Sequence, residues 1–295
     1  MKTSCPFCAQ ASQRRLRARD TNRSLNGSEL FDYYQCAACG LWFLYPVPPD
    51  LQERYPPEYY ALPGPAQFAE GMKAEAYKIE LLHPYRRGGS LLEIGPACGY
   101  FAGAALKAGY DVSVIEMSSA CCAYMRDKGG IDVHESSDVP GTLATMAPLQ
   151  VIALWHVIEH VPDPWALLRA AAERLATGGV LALATPNPDA LQFKILGASW
   201  THLDAPRHVY LLPIQHLVSF LSGLGLSIRE ATCLDEGSRY WNTFGWEESL
   251  GHLTKRGRRF AKGLGRGVAR MMAPLDHRDG AGSAYTIIAV KEPSY

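Results

Sequence analysis

The sequence lacks a net charge, a long apolar segment and an apolar amino-terminal leader. Its 295 residues carry 29 Lys and Arg against 29 Asp and Glu, so no overall charge attracts it to nucleic acid or anionic lipid. It contains no run of about 18 apolar residues, so we expect no membrane-spanning helix. The first residues, MKTSCPFCAQ, lack the apolar core of a secretory signal. We therefore expect a cytoplasmic protein whose cysteines stay reduced.

Four of the eight cysteines form two Cys-x-x-Cys pairs, which are separated by residues 9–35. The pairs are Cys5 with Cys8 and Cys36 with Cys39. Each pair is typical of a tight metal-binding turn, and four thiolates complete the tetrahedral shell of a structural zinc ion. A segment of roughly forty residues buries too small a core to fold alone, so zinc would supply much of its folding free energy. We predict a zinc ribbon in residues 1–45, with LFDYYQC as its returning strand.

The other four cysteines, at positions 98, 121, 122 and 233, lack metal-type spacing, and we expect buried thiols there. Residues 46–88 are rich in proline and aromatic side chains. We predict an extended connector from residue 41 onward, neither a regular helix nor a central strand, followed by a helix over 66–82.

From residue 89 to residue 292, strands and helices alternate as in an α/β domain with a parallel sheet. A strand over 91–94, a turn from Gly95 to Gly99, a helix and a second strand ending at Glu116 form a cofactor-binding unit. The glycines let the backbone approach the ligand, and the carboxylate binds ribose hydroxyls. Glu93 beside the turn would repel a pyrophosphate, and it suits the cationic amino-acid end of S-adenosylmethionine.

On these residues the chain resembles the class I S-adenosylmethionine-dependent methyltransferases over 90–291. The segment HVIEHVPDP at 156–164 is similar to the motif of the ubiquinone O-methyltransferase-like branch. The resemblance implies a doubly wound, mostly parallel seven-stranded sheet, with an antiparallel pair at 226–233 and 284–290. Ala97 replaces the commonest central glycine. The cofactor-binding residues that it implies are Glu93, Gly95, Ala97, Gly99, Tyr100, Glu116, Met117, Trp155 and His156.

The resemblance places the family's fourth strand at Val151–Trp155, and we expect the residues after it to face the transferred methyl group. If a helical turn begins at His156, Glu159 and His160 lie on the same side of it. Related O-methyltransferases hold a metal with a Glu-x-x-Glu-His cluster and a later histidine. Here His156 replaces the first Glu, and Glu159, His160 and His208 match a possible site for a second divalent metal.

Two alternatives to the metal stay open. A metal-free histidine base, His156 or His208, could accept a proton from the acceptor. Glu159 and His160 could instead only fix the local structure by hydrogen bonds. Residues 200–210 form either a lid or substrate wall, or a loop in which Asp204 simply pairs with Arg207.

Four further expectations concern the surface and the carboxyl-terminal part. The basic runs at 14–19 and 255–270 predict solvated faces. An amphipathic helix is expected over 211–225, and the aromatic residues of 240–252 could form a second substrate wall. The glycines of 253–283 disfavour one rigid helix there.

The sequence predicts methyl transfer to an oxygen of a small-molecule, sugar or lipid-linked acceptor. One alternative is an RNA methyltransferase that uses the ribbon to bind RNA, although the near-neutral pI argues against nucleic acid as a partner. Another is a non-catalytic cofactor-binding module. The sequence does not indicate an oligomeric state.

Overall fold

The computed structural model describes residues 2–23, 28–55, 59–253 and 258–293. The strands are β1 Lys2–Ser4, β2 Ala11–Ala18, β3 Phe31–Cys36, β4 Trp42–Leu44, β5 Gly89–Ile94, β6 Tyr110–Glu116, β7 Asp132–Glu135, β8 Leu149–Trp155, β9 Leu175–Pro186, β10 Tyr210–Leu211, β11 Leu226–Thr232 and β12 Ala284–Lys291. The helices are α1 Pro65–Leu82, α2 Tyr100–Lys107, α3 Ser119–Tyr124, α4 Val139–Thr145, α5 Pro164–Arg174, α6 Leu191–Leu196, α7 Ile214–Gly223, α8 Glu236–Leu253 and α9 Arg258–Asp276.

The larger sheet has seven strands in the order β11-β12-β9-β8-β5-β6-β7. The five strands from β9 to β7 are parallel, and β12 is antiparallel to both of its neighbours. The central strands are buried on both faces, and their sequences are therefore continuous apolar runs. The predicted fold class and the antiparallel strand pair are confirmed.

The smaller sheet has the order β1-β2-β3-β4-β10. Strand β4 lies between β3 and β10, so the prediction that no central strand follows residue 41 is wrong. The prolines begin only at Pro46, which leaves three strand-forming residues ahead of them. Because β10 pairs with β4, the next helix starts at Ile214 rather than at residue 211.

The carboxyl-terminal part forms α8 and α9, which pack against each other. The glycines of 253–283 disfavour one rigid helix over that whole range, and within it the structure has a continuous helix over Arg258–Asp276 that does not extend to residue 283. A Cβ at Gly265 would lie 2.5 Å from the Cα of Glu247 on α8. The glycine therefore permits a close approach of the two helices. Residues 254–257, which include part of the predicted basic run, lie outside the described residues.

Within the described ranges, no helix is both long enough and apolar enough to cross a membrane. The division of the chain at residues 45 and 88 stays a prediction. The structure shows that β10, from the later part of the chain, completes the sheet of the cysteine-bearing segment. It also shows Cys5 and Cys36 in the same apolar cluster as Leu92 and Ile94 of the large sheet.

Candidate functional site

The predicted cofactor turn connects β5 to α2 at the carboxyl edge of the large sheet. Gly95, Ala97 and Gly99 all have positive φ angles, of 66°, 53° and 81°. A Cβ at Gly95 would lie 2.8 Å from a methyl carbon of Val157, and one at Gly99 would lie 2.7 Å from Sδ of Met125. Both positions thus need glycine for space as well as for conformation. Ala97 adopts the same left-handed region at a cost in strain.

Glu93, near the end of β5, is 4% exposed. Among the described residues, its Oε2 atom has no hydrogen-bond partner. Burial raises the pKa of this carboxyl to about 8, and nearby Lys78 opposes that rise. A buried carboxyl oxygen without a hydrogen-bond partner destabilises the folded state unless another group binds it. A cationic ligand group at the turn would be such a partner.

Glu116 ends β6 on the other side of the turn. Its Oε2 accepts from the backbone N–H of Ala97 at 3.0 Å, and its Oε1 accepts from that of Ser118 at 2.8 Å. Burial raises the pKa of this carboxyl, whereas the backbone donors lower it. Each oxygen keeps a further lone pair, so two ribose hydroxyls could still donate to it.

The remaining predicted cofactor residues differ in position. The Tyr100 ring packs against Phe68 of α1, with ring centroids 5.6 Å apart. Met117 is half exposed just after β6. Trp155 ends β8 with its ring against Phe101, and its indole N–H has no partner in the part of the chain that the structure describes.

His156 follows β8 with a φ of 57°. Its Nδ1 atom lies 3.6 Å from Oε1 of Glu159, and its ring contacts that of Trp241 on α8. Burial alone would raise the pKa of Glu159, but the neighbouring His156 imidazole and the charges of His208 and His160 lower it to about 2. Thr185 also donates to Glu159, at 2.9 Å. Glu159 is therefore a buried, ionised carboxylate beside an accessible imidazole.

The expected helical turn from His156 is wrong, because a 3-10 turn forms only over Ile158–His160. The backbone of His156 is left-handed and cannot begin a right-handed turn. His156 and Glu159 still meet, whereas the His160 ring packs on that of His208, with centroids 4.5 Å apart.

His160 and His208 are oriented by carbonyl groups. Nδ1–H of His208 donates to the carbonyl of His202 at 2.8 Å, and Nδ1 of His160 lies 3.1 Å from that of Arg207. The carbonyl partner of His208 places its proton on Nδ1 and leaves its Nε2 as the acceptor atom. Nδ1 of His160 is also 2.8 Å from the Tyr55 hydroxyl. Burial and the charge of His208 lower the pKa of His160 to about 4. The ligand atoms of Glu159, His160 and His208 lie within 4.8 Å of one another.

The segment over 200–210 is tied to the cysteine-bearing segment. Arg207 is fully buried and bonds to both carboxylate oxygens of Asp20, at 2.7 and 2.9 Å. It also bonds to Asp204, as the simpler interpretation of this segment expected. Tyr33 of β3 donates to the carbonyl of His208 at 2.8 Å. The small sheet thus fixes the loop that carries His208.

The four paired cysteines converge as predicted. The Sγ–Sγ distances are 3.7 Å for Cys5 with Cys39, 3.5 Å for Cys8 with Cys36 and 3.7 Å for Cys8 with Cys39. A tetrahedron with zinc–sulfur bonds of about 2.3 Å has edges of about 3.8 Å, so the cluster fits zinc. Both turns end in a left-handed residue, Gly40 with a φ of 73° and Ala9 with a φ of 59°. The cysteines outside the cluster are buried, as expected.

Some residues of each basic run form ion pairs. Arg14 and Arg17 of β2 both bond to Asp32 of β3, at 2.9 and 2.7 Å. On α9, Lys262 pairs with Glu248 and Arg266 pairs with Glu247. Positions 255 and 256, and the side chains of 258 and 259, lie outside the described residues.

Sequence reasoning missed several residues at this site. Lys78 on α1 lies with its Nζ atom 4.6 Å from the centre of the Trp155 ring. Tyr55 and Asp20 contact the histidine-bearing segments from distant parts of the chain. A lysine on a helix and an aspartate in a turn carry no sequence signal that separates them from solvated surface residues.

Comparison with known proteins gives concordant results. A family model described as a methyltransferase domain matches residues 70–231, more than half of the chain. The ubiquinone biosynthesis O-methyltransferase of Bordetella avium (strain 197N) is 30% identical over 162 residues, which are 52% of this chain and 65% of that protein. Its namesake from Stutzerimonas stutzeri (strain A1501) is 30% identical over 127 residues, which are 41% of this chain and 55% of that protein.

The chain therefore covers less than two thirds of the length of these curated relatives. A crystal structure of a SAM dependent methyltransferase from Archaeoglobus fulgidus has a TM-score of 0.51 at 18% identity, covering 75% of this chain and 94% of that one. The seven-stranded sheet with its glycine turn is the Rossmann-like fold of methyltransferases. This chain belongs to the family that the methyltransferase-domain model describes.

Proposed function

We propose that the protein transfers a methyl group from S-adenosylmethionine to an oxygen of a small-molecule, sugar or lipid-linked acceptor. One observation carries the proposal. Two buried carboxyl groups, those of Glu93 and Glu116, flank a left-handed glycine turn at the same sheet edge as the His156–Glu159 pair.

The residues of the turn fit this donor. Glu93 offers an unpartnered oxygen to its ammonium group, and Glu116 keeps lone pairs for the two ribose hydroxyls. Gly95 and Gly99 leave the backbone open to close approach. The donor supplies a sulfonium methyl carbon, whose bond to sulfur breaks, with both electrons moving to sulfur, as the acceptor oxygen bonds to it.

His156 is the proposed proton acceptor. An acceptor hydroxyl loses its proton as its oxygen bonds to the methyl carbon, and the imidazole takes that proton. The ionised Glu159, 3.6 Å from Nδ1, stabilises the imidazolium that forms. His208, which has a ring nitrogen within 4.8 Å of a Glu159 carboxylate oxygen, is a second candidate base. Holding donor and acceptor in line supplies most of the acceleration.

The choice of oxygen rests on this imidazole–carboxylate pair and on the names of the relatives, which are O-methyltransferases. A sulfur or nitrogen acceptor would have less need of a base with a buried carboxylate behind it. The cysteine cluster is proposed to hold one structural zinc ion, since four thiolates leave no open coordination position.

A second candidate arrangement uses a metal at Glu159, His160 and His208. The clustering of their ligand atoms and the acceptor Nε2 of His208 favour it. One carboxylate and two imidazoles suit zinc or iron better than magnesium, which prefers oxygen ligands. In that case these three side chains would hold the ion, and the ion would lower the pKa of the acceptor hydroxyl.

Two other functions receive less support. The pairing of Arg14 and Arg17 with Asp32 reduces the positive charge that the small sheet offers to RNA. The intact set of turn glycines and flanking carboxylates argues against a module that has lost its chemistry.

The deciding experiment incubates the protein with cell extract and methyl-labelled donor, and identifies the labelled product by mass spectrometry. We expect an O-methylated small molecule, sugar or lipid. The matched control, Gly95→Val, places side-chain carbons against Val157 and should yield no product. Label found in RNA, or no label with the parent protein, would overturn the proposal.

A further inference from the structure

Two cysteines outside the four-cysteine cluster lie beside the cofactor turn. Cys98 belongs to the turn itself, and Cys121 lies in the first turn of α3. Their side chains are buried, at 6% and 0% exposure, and they belong to the same apolar cluster. The proposed methyl transfer uses neither thiol.

The carboxylate of Glu116 fixes both cysteine-bearing segments. Its Oε2 accepts from the backbone N–H of Ala97, which precedes Cys98, at 3.0 Å. Its Oε1 accepts from the backbone N–H of Ser118, the N-cap of α3, at 2.8 Å. The Ser118 hydroxyl accepts in turn from the backbone N–H of Cys121 at 3.4 Å. One carboxylate therefore holds the cofactor turn next to the first turn of α3.

The cofactor turn also packs on the face of α3 that carries Cys121. A Cβ at Gly99 would lie 2.7 Å from Sδ of Met125. The backbone N–H of Met125 donates to the carbonyl of Cys121, four residues earlier, so the two side chains lie on the same helix face. Hydrogen bonding between the Cys98 and Cys121 thiols raises the pKa of Cys98 and lowers that of Cys121. The two thiols are therefore in contact across the turn.

We infer that Cys98 and Cys121 form a redox-sensitive pair, which hydrogen peroxide converts to a disulfide that weakens binding at the cofactor turn. The Cys121 thiolate attacks one peroxide oxygen, the O–O bond breaks, and hydroxide leaves and takes up a proton, so that Cys121 becomes a sulfenic acid. The Cys98 sulfur then bonds to the Cys121 sulfur, and the Cys98 proton leaves with the displaced hydroxide as water. Two thiols and one peroxide thus give one disulfide and two water molecules. Peroxide is little larger than water and reaches buried thiols through local opening.

The disulfide acts on the turn because an S–S bond of about 2.05 Å is much shorter than a contact between two thiols. Cys98 must move toward α3 and away from the carbonyl of Ala61, to which its Sγ atom donates at 3.8 Å. Its neighbours Ala97 and Gly99 move with it, and both already have left-handed backbones. The effect on donor binding rests on the proposed function, whereas the formation of the disulfide does not.

The test treats the full chain with hydrogen peroxide and maps the cross-linked peptides by mass spectrometry after alkylation of the remaining thiols. We expect a link between Cys98 and Cys121 that dithiothreitol reverses. Calorimetry with S-adenosylmethionine should show about 10-fold weaker binding after oxidation, and recovery after reduction. Cys98→Ser and Cys121→Ser should each have the same affinity before and after peroxide. Cys121→Ala replaces the serine variant if circular dichroism shows that the latter is not folded.

Cys122→Ser is the matched control, because Cys122 is buried beside Cys121 and its thiol donates to the carbonyl of Glu116. It should respond to peroxide as the parent does. A loss of affinity that persists in Cys98→Ser would come from other thiols, such as those of the four-cysteine cluster, and would overturn the inference.

Two further results would overturn the inference and leave the proposed function intact. They are the absence of a link between Cys98 and Cys121, and a link that leaves the donor affinity unchanged. A reduced parent protein that does not bind the donor would instead overturn the proposed function and the effect on donor binding, while a mapped link would still support the redox pair.

Discussion

Asp20 and Arg207 form a bidentate, fully buried ion pair that joins the cysteine-bearing segment to the loop carrying His208. Asp204 adds a second carboxylate to the same guanidinium. The Asp20–Arg207 ion pair thus fixes two segments that are distant in the sequence relative to each other. Asn22 strengthens the junction, since its side-chain amide donates to the carbonyl of Thr201 at 2.8 Å.

Removing one partner of this ion pair should lower the unfolding free energy strongly. Asp20→Asn leaves the Arg207 guanidinium buried with Asp204 as its remaining carboxylate, and we expect a loss of about 3 kcal/mol in unfolding free energy. Urea denaturation at neutral pH measures it. Asp32→Asn is the control, because Asp32 pairs with the more exposed Arg14 and Arg17, and it should lose less than about 1 kcal/mol. Equal losses would contradict a special role for the Asp20 pair.

The cysteine cluster should hold one zinc ion per chain. Cys36→Ser removes one of four thiolates, and elemental analysis of protein purified without added metal should show the loss of that ion. Donor binding should largely survive, because Glu93 and Glu116 belong to the other sheet. Cys233→Ser, a buried cysteine outside the cluster, should keep the zinc. Parent protein without zinc and with freely titrating thiols would refute the assignment.

Glu116→Ala should weaken donor binding by roughly 2–3 kcal/mol if each of two ribose hydrogen bonds contributes about 1.5 kcal/mol. The substitution also frees the N–H groups of Ala97 and Ser118, so the turn loses an internal support. Calorimetry with S-adenosylmethionine gives the affinity. Glu135→Ala, at the end of the next strand, should bind as the parent does. Unchanged affinity in Glu116→Ala would remove Glu116 from the donor site.

The hypothesis of a metal-free His156 base and the hypothesis of a catalytic metal make different predictions. If His156 is a metal-free base, His156→Gln should lower the rate by about 10²–10⁴-fold, and a chelator should have no effect on the parent protein. If Glu159, His160 and His208 hold a catalytic ion, turnover should be chelator-sensitive, and His160→Ala should lose both activity and a second bound ion. Full activity of a His156→Ala, His208→Ala double variant, measured with the true acceptor, would remove both histidines from the mechanism.

His202 should make stability depend on pH. Burial lowers the pKa of this histidine to about 3, and its ring N–H donates to the carbonyl of Trp241 at 3.0 Å. The unfolded chain takes up the proton near pH 6.5, and the folded state does so only near pH 3. The unfolding free energy therefore falls as the pH decreases below about 6.5, by about 2 kcal/mol at pH 5 from this group.

His202→Gln keeps a donor for the Trp241 carbonyl but does not titrate. Its unfolding free energy should fall less steeply between pH 7 and pH 5 than that of the parent, as measured by urea denaturation at each pH. His134→Gln, at a surface position, serves as the control and should retain the parent slope. If the His202 variant kept the pH dependence of the parent's unfolding free energy, another group would be responsible for that dependence.

The sequence predicted the elements that depend on local patterns. Apolar runs and the turn before Tyr100 defined the parallel strands, and the spacing of the cysteines defined their cluster. Strand β10 could not be predicted, since two residues show no periodicity and its partner β4 lies far back in the chain. Helix α9 was missed because Gly265 carries a helix-breaking signal locally and serves tertiary packing in the fold. The burial of Lys78 was missed for a similar reason, because elements far away in the sequence determine which residues of a helix are buried.

The edge that β10 covers is exposed for part of the protein's synthesis. Residues 1–45 leave the ribosome before residues 210–211 have been made. At about 5–20 residues per second, β4 then waits roughly 10–30 s for its partner. During that interval Trp42 and Phe43 lie on an unpaired edge strand, the kind of surface that other nascent chains join. Crowded polysomes and slow translation should therefore lower the yield of folded protein more than the stability of the finished chain would indicate.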